Sequence, residues 1–270
     1  MSRYHPKKRL GQNFLKSDEI IRRIVDLVNP RSGQVLVEIG PGQGALTLPL
    51  ARSGATIVAV EIDNDLIGYL EKSLGQYENV RIVNQDFLLF DPVETGIDKF
   101  TLVGNLPYHI SSPVMEWIAK RSRMLEQVFL MVQKEVAERL CSSPGSKGWS
   151  PLSIFTQLLF DVTNCFTVRP VHFHPRPKVS STVIKLTPKE ELEIRYRTEF
   201  ERVVRYSFRQ RRKLLKNNLV PEIITDTDTA LEYFAKVDLP SNTRAEQVTT
   251  EHFLKLTDLL VSERYLRNVD

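Results

Sequence analysis

Two rhythms of hydrophobic residues alternate along the first half of the chain. Apolar runs with no polar interruption, VLV at 35–37, IVAV at 57–60 and VFLMV at 128–132, read as buried strands. NVRIVNQD at 79–86 and KFTLVGN at 99–105 read the same way. Between these runs the apolar positions recur every three or four residues, in IIRRIVDLV (20–28), ALTLPLARSG (45–54), NDLIGYLEKSL (64–74) and SSPVMEWIAKR (111–121), which predicts helices. Ser17, Asp18 and Glu19 supply a helix cap for the first of them, and the Asn-Pro-Arg-Ser-Gly of 29–33 breaks it. Strands and helices alternating at this spacing predict an α/β fold with a parallel sheet covered on both faces.

The rhythm changes after Pro151. PLSIFTQLLF (151–160) reads as a helix, and DVTNCFTV (161–168) and KVSSTVIKL (178–186) read as strands flanking the proline-rich VRPVHFHPRP. From Thr187 and Pro188 onward only helical spacing remains, over 199–219, 229–237 and 250–266. The predicted division is therefore 1–188 for the sheet domain with its N-terminal arm and 189–270 for a smaller all-helical domain.

Composition narrows the function classes. With 41% hydrophobic and 26% charged residues the chain has the make-up of a soluble globular protein. No apolar run is long enough to span a membrane, and the basic N-terminus is followed by no apolar signal core, so a cytoplasmic protein is expected. Cys141 and Cys165 sit in apolar surroundings, show no metal spacing and are expected to be buried thiols. The charge of +4 is unevenly spread. Acid-free stretches occur at 1–16 (Arg3, Lys7, Lys8, Arg9, Lys16), at 162–189 (Arg169, Arg176, Lys178, Lys185, Lys189) and at 205–216 (Arg205, Arg209, Arg211, Arg212, Lys213, Lys216). They hold sixteen of the 37 lysines and arginines and leave the rest of the chain acidic, a segregation suited to phosphate backbones.

The candidate chemistry lies at the strand ends. Gly40-Pro41-Gly42-Gln43-Gly44 follows the first strand and opens a helix, a turn that lets a ligand approach the backbone. Its spacing differs from the dinucleotide-binding pattern, whose third glycine comes three residues after the second. Glu61 ends the second strand, where a carboxylate can accept both hydroxyls of a ribose. Asp86 ends the third, where it can accept from an adenine amino group. By resemblance to Rossmann-like methyltransferases, Gly40 and Gly42 line S-adenosylmethionine, with Glu61 on its ribose and Asp86 on its adenine. NAD is the competing cofactor, disfavoured by the glycine spacing.

Asn105-Leu106-Pro107-Tyr108 ends the fourth strand. An exocyclic adenine amine is a poor nucleophile because its lone pair is delocalised into the ring. The amide oxygen of Asn105 and the carbonyl of Leu106 can accept its two N–H groups, Pro107 stiffens the loop, and Tyr108 offers a face for the base. Phe173, between prolines and basic residues in HFHPRPKVSSTV, is expected to be an exposed second stacking ring. His172 and His174 flank it without a third ligand nearby, so no metal is expected.

Taken together, KKRLGQNFL, EIGPGQGALT, Glu61, QDFL, NLPYHISSPV, FHPRPKVSSTV and FRQRRKLLKNNL resemble the ribosomal RNA adenine dimethyltransferases of the KsgA (RsmA) type over essentially the whole chain. The resemblance implies a cofactor site of Asn13, Leu15, Gly40, Glu61, Asp86 and Asn105, and a target-base site of Asn105, Leu106, Pro107, Tyr108 and Phe173. It also implies dimethylation of the N6 amines of two adjacent adenosines near the 3′ end of small-subunit (16S) ribosomal RNA. The expected partner is a late assembly intermediate of that subunit, met by a monomeric enzyme.

Arg209, Arg212, Lys213 and Lys216 are expected on one face of a helix, with Arg211 beside them and no acid to balance them. With Lys7, Lys8 and Arg9 of the arm they would grip an RNA helix by its phosphates.

Three other functions compete. Methylation of large-subunit ribosomal RNA, as in antibiotic-resistance enzymes, is disfavoured by the basic arm and FRQRRKLLKNNL. A non-enzymatic RNA-binding or transcription factor is disfavoured by the intact Glu61, Asp86 and NLPY. A DNA adenine methyltransferase would need a base-reading domain, whereas the helical segment here suits phosphate and shape.

Overall fold

The structure is a computed structural model and describes residues 4–190 and 195–263. Arg3 of the basic arm and residues 264–266 of the last expected helix lie outside them. The chain forms two compact units. The first takes residues 1–138 and 160–188, and the second takes 139–159 and 189–270. Residues 139–159, which the sequence reading placed with the sheet, thus pack with the C-terminal segment.

In the first unit the described elements run β1 (Phe14–Leu15), α1 (Asp18–Val28), β2 (Val35–Ile39), α2 (Thr47–Ala51), β3 (Thr56–Glu61), α3 (Asn64–Leu74), β4 (Val80–Asn84), β5 (Phe100–Asn105), α4 (Ser111–Lys120) and β6 (Leu125–Gln133). α5 (Lys134–Leu140) leads toward α6 (Pro151–Leu159) of the second unit, and the chain then returns with β7 (Phe160–Val168), β8 (Phe173–His174) and β9 (Ser181–Pro188). The strand order is β4-β3-β2-β5-β6-β9-β7, with a separate antiparallel pair β1-β8. The first five strands are parallel, but β9 runs antiparallel to both β6 and β7, so the expected parallel sheet is mixed.

β2, β3 and β5 are buried almost end to end, as strands covered on both faces must be. β7 closes one edge and turns Asp161, Thr163, Asn164 and Thr167 to solvent, which blunts it against further pairing. Cys165 on that strand is half-buried and Cys141 likewise, so neither is the core thiol expected. α1 begins where the Ser17 hydroxyl accepts from the Ile20 amide, and it buries Ile20, Ile24 and Val28 at four-residue spacing. α2 is shorter than its apolar pattern, because the chain turns through 42–46 before it starts.

The connection after β2 goes to β3 on one side, and the later β5 docks on the other. The sheet therefore changes direction beside β2, and a crevice opens there at the carboxyl ends of the strands.

The second unit is helical in its described elements: α6, α7 (Arg197–Ser207), α8 (Leu215–Leu219), α9 (Thr227–Lys236) and α10 (Thr250–Ser262). Its core holds Trp149, Ile154, Phe200, Val203, Phe234 and Phe253. The Trp149 indole N–H is satisfied by the Val248 carbonyl at 2.9 Å. The single helix expected over 199–219 is broken. Asn218 is the physical reason: its amide donates to the carbonyls of Ser207 and Gln210, and its oxygen accepts the Gln210 amide. These bonds replace the helical ones and turn the chain between α7 and α8. Among the described residues no helix is long and apolar enough to cross a membrane.

Candidate functional site

The carboxyl ends of β2, β3 and β5 and the loop after β4 converge on a cavity of about 200 Å³ in the first unit. All the residues expected at the cofactor and the target base line it. On one side the turn after β2 begins with Gly40, whose amide donates to the Val60 carbonyl at 2.9 Å and ties the turn to β3. Gly40 has a φ of +58°, and a Cβ there would project into open space. The backbone thus leaves a cradle that any other side chain would fill.

Glu61 is buried at the end of β3, and burial raises its pKa. One carboxylate oxygen accepts the Gly42 amide at 3.0 Å and the other the Asp63 amide at 2.9 Å. These bonds fix the plane of the carboxylate at the cavity wall. Asp86 accepts the Leu88 amide through Oδ1 at 2.9 Å, which holds it at the start of a short turn over Phe87–Leu89.

Glu38 is the wall residue that the sequence reading passed over. It is buried, lines the cavity, and its Oε2 meets no hydrogen-bond partner. Burial pushes its pKa up to about 7, with the neighbouring Glu61 adding to the shift. The signal was available: an acid inside VLVEI interrupts an otherwise buried run, and acids are rarely buried without a partner. A buried carboxylate with one oxygen unpartnered and an open glycine cradle suit a ligand that carries positive charge and lies close to the backbone. S-adenosylmethionine fits both, and Gly40, Glu61 and Asp86 are the residues that would hold it.

On the other side Asn105 donates its side-chain N–H to the Asn13 carbonyl at 3.0 Å, so its amide oxygen is the end left for another donor. Asn13 donates its own amide to the Gly11 carbonyl at 3.0 Å. The Leu106 amide donates to Met131 of β6 at 3.0 Å, which anchors the loop before Pro107. Tyr108 is half-buried, its hydroxyl 3.1 Å from the Ser181 hydroxyl, and burial raises its pKa. Phe173 was expected to be exposed. Instead it is buried, held opposite Leu15 by the β1-β8 pair, and it reaches the cavity as part of its wall.

The basic residues are placed differently from the expectation. Lys7 is engaged by Asp63 and Asp65 at 2.5 and 2.6 Å, while Lys8 and Arg9 stay exposed. In the second unit Arg209, Arg211, Arg212 and Lys213 lie in the turn between α7 and α8, not on a helix face. Acids from elsewhere in the chain also reach them: Glu222 pairs with Arg209 at 3.1 Å and Glu246 with Arg211 at 2.9 Å. Arg211 further donates to the Lys147 carbonyl. Arg212 and Lys213 remain exposed, and Lys216 on α8 is partly so.

Comparison with known proteins follows the same lines. The family model described as "Ribosomal RNA adenine dimethylase" matches residues 4–261. A protein of Hydrogenovibrio crunogenus named "Ribosomal RNA small subunit methyltransferase A" is 39% identical over 96% of this chain and 98% of its own length. One of the same name from Francisella tularensis is 40% identical over 94% and 97%. Among solved structures, a dimethyladenosine transferase from Plasmodium falciparum superposes with a TM-score of 0.80 at 26% identity, covering 93% of this chain and 98% of that one. The 23S rRNA methyltransferase ErmE superposes with a TM-score of 0.72 at 27% identity, covering 92% and 99%.

Proposed function

The chain belongs to the ribosomal RNA adenine dimethylase family, and on that premise we propose that it dimethylates the N6 amines of two adjacent adenosines near the 3′ end of small-subunit (16S) ribosomal RNA. It is an S-adenosylmethionine-dependent rRNA adenine dimethyltransferase with a Rossmann-like sheet. The proposal adds the two target nucleotides, action on a late assembly intermediate of the small subunit, a monomeric state and a cytoplasmic location. The relatives named for the small subunit, at 39% and 40% identity, favour that substrate over the large-subunit one that ErmE's name carries at 27%.

One observation carries the mechanism: a single cavity joins the glycine turn, Glu61 and Asp86 to the Asn105–Tyr108 loop. When bound, the cofactor supplies a methyl group on a positively charged sulfonium. Glu61 would accept from its ribose hydroxyls, Asp86 from its adenine amine, and Asn13 and Leu15 would close the wall over it. The side-chain nitrogen of Asn105 is engaged by the Asn13 carbonyl, which leaves its oxygen as the acceptor that would meet the target amine. With the Leu106 carbonyl it would take both N–H groups and draw the nitrogen toward tetrahedral geometry, which frees the lone pair. Tyr108 and Phe173 would flank the base and fix its approach. The proton released afterwards passes to water, so no strong base is needed. With two methyl groups attached, no N–H remains for Asn105 and Leu106 to hold, and the reaction stops.

The test is labelled methyl transfer to small and large subunits that lack these methyl groups, with the modified nucleoside identified by mass. Dimethyladenosine in small-subunit RNA near its 3′ end is the expected product. Label only in large-subunit RNA, with macrolide resistance in cells, would replace this reading with the ErmE-like one. Cofactor binding with no transfer to either subunit would favour a non-enzymatic RNA-binding role.

A further inference from the structure

Residues 10–15 form one continuous wall of the cavity, and Tyr4, Lys7 and Asp63, which hold this wall in place, do not line it. Asp63 is central to them. It is buried immediately behind Glu61, and its carboxylate takes four donors. Oδ1 accepts from the Lys7 ammonium at 2.5 Å and the Asp65 amide at 3.1 Å. Oδ2 accepts from the Tyr4 hydroxyl at 2.5 Å and the Gln12 amide at 2.8 Å. Three of the four come from the N-terminal arm, and the Gln12 side-chain oxygen accepts the Lys7 backbone amide at 2.8 Å. Burial alone would raise the Asp63 pKa, but the bonds from Lys7, Tyr4 and Gln12 overcome it and hold the carboxyl down at about 2.

The arm fixed in this way reaches both halves of the cavity. Its Phe14 ring packs edge-on to Tyr4 and lies so close to the glycine turn that a Cβ on Gly42 would come within 2.9 Å of it. Its Asn13 carbonyl holds the Asn105 amide. The Asp63 amide, at the other end of the same residue, holds Glu61.

We infer that Asp63 is a positioning residue, a buried latch that seats the N-terminal arm so that one segment sets both the cofactor wall and the orientation of Asn105. Lys7, read from the sequence as a phosphate contact, belongs to this latch. The inference rests on the cofactor reading given above. It also makes the arm's seat a shared control on cofactor affinity and on the transfer step, since neither half of the cavity keeps its wall when the arm lifts.

The test compares the full-length wild type with Asp63→Ala and with an arm-side double variant, Tyr4→Phe with Gln12→Ala. Asp63 also caps α3 through the Asp65 amide, and the arm-side variant leaves that cap intact. Three readouts are taken: S-adenosylmethionine affinity by calorimetry, kcat for methyl transfer, and the rate of tryptic cleavage after Lys8 and Arg9 with cofactor present. For Asp63→Ala the expected result is roughly tenfold weaker cofactor binding, a fall in kcat at saturating cofactor, and cleavage of the arm about tenfold faster. The arm-side variant is expected to move all three in the same direction by a few-fold. A folded Asp63→Ala protein with an arm as protected as in the wild type, or with unchanged affinity and kcat, overturns the inference. If Asp63→Ala does not fold, the arm-side variant decides alone, and unchanged values there overturn it. A wild type that binds no S-adenosylmethionine would instead remove the cofactor reading, and the cleavage rates would still report on the latch.

Discussion

The cavity at the strand ends and the basic turn of residues 208–214 make an instructive pair. Both were picked out by residue type, and both carry groups suited to a charged ligand. In the cavity each candidate group is fixed by backbone donors and acceptors, as Glu61 is by the amides of Gly42 and Asp63. In the turn, position depends on one side chain, Asn218, and two of the four cations are already matched by acids. Rigid strands place chemistry to within hydrogen-bond tolerance, whereas charges on a turn act mainly through their sum. Substitutions should therefore be steep in the cavity and shallow in the turn.

The steepest change outside the target-base loop is expected from Glu61→Ala. It removes the proposed ribose acceptor and leaves the Gly42 and Asp63 amides without their partner. S-adenosylmethionine affinity should fall by about 10²–10³-fold, from two or three hydrogen bonds of about 1.5 kcal/mol or less each. Calorimetry reads this directly, and a change below threefold would place the ribose elsewhere.

Next comes Asn218→Ala, which strips three bonds from the turn and leaves buried polar groups unpaired. A loss of about 2–3 kcal/mol in unfolding free energy is expected from denaturant titration. Unchanged stability would mean that another feature breaks the helix between α7 and α8.

Glu38→Gln should have a smaller effect that depends on pH. In the free protein Glu38 ionises only near pH 7, so it is neutral below that value and negative above it. Affinity for a positively charged cofactor should fall as pH drops from 8 to 6, by up to about tenfold per unit. The Gln variant should lose that dependence. The stability of the cofactor-free protein has the opposite sign. Its folded state keeps the Glu38 proton above the usual 4.5, so the Glu38 contribution weakens as pH rises from there toward 7. A Gln variant with the wild-type pH profile for binding would remove Glu38 from the cofactor site.

The mildest change belongs to the turn. Replacing Arg212 and Lys213 together by Ala should lower the salt dependence of RNA binding by about one to two units of slope. Arg211→Ala should change the slope less, because Arg211 is already paired with Glu246. Equal slopes for the two variants would show that the ion pair opens on RNA.

How far the sequence could be read follows the same division. The buried strands were legible because VLV, IVAV and VFLMV leave no other place for their side chains. Glu61 and Asn105 were legible as cavity-lining positions because they end buried strands, while Asp86 lies two residues past β4, an edge strand less buried than its pattern suggests. The antiparallel β9 was not, since an alternating strand pattern carries no direction. Asn218 was hidden because an asparagine within a helical pattern looks the same whether it points outward or bonds the backbone eight and eleven residues earlier. The pairing of Lys7 with Asp63 and of Arg211 with Glu246 was hidden for a similar reason: a segment without acids can still meet acids brought by the fold. Phe173 shows the converse, a residue named for its chemistry whose exposure was misjudged because the β1-β8 pair covers it.

The most direct test of the central claim is Asn105→Ala, with S-adenosylmethionine binding and methyl transfer to unmethylated small subunits measured on the same preparation. The account predicts that the cofactor still binds within a few-fold of wild type while transfer falls by about 10²–10³-fold, the usual cost of removing one preorganised hydrogen-bonding group from a reacting centre. Transfer at the wild-type rate would contradict it, because the Asn105 amide would then not hold the target amine.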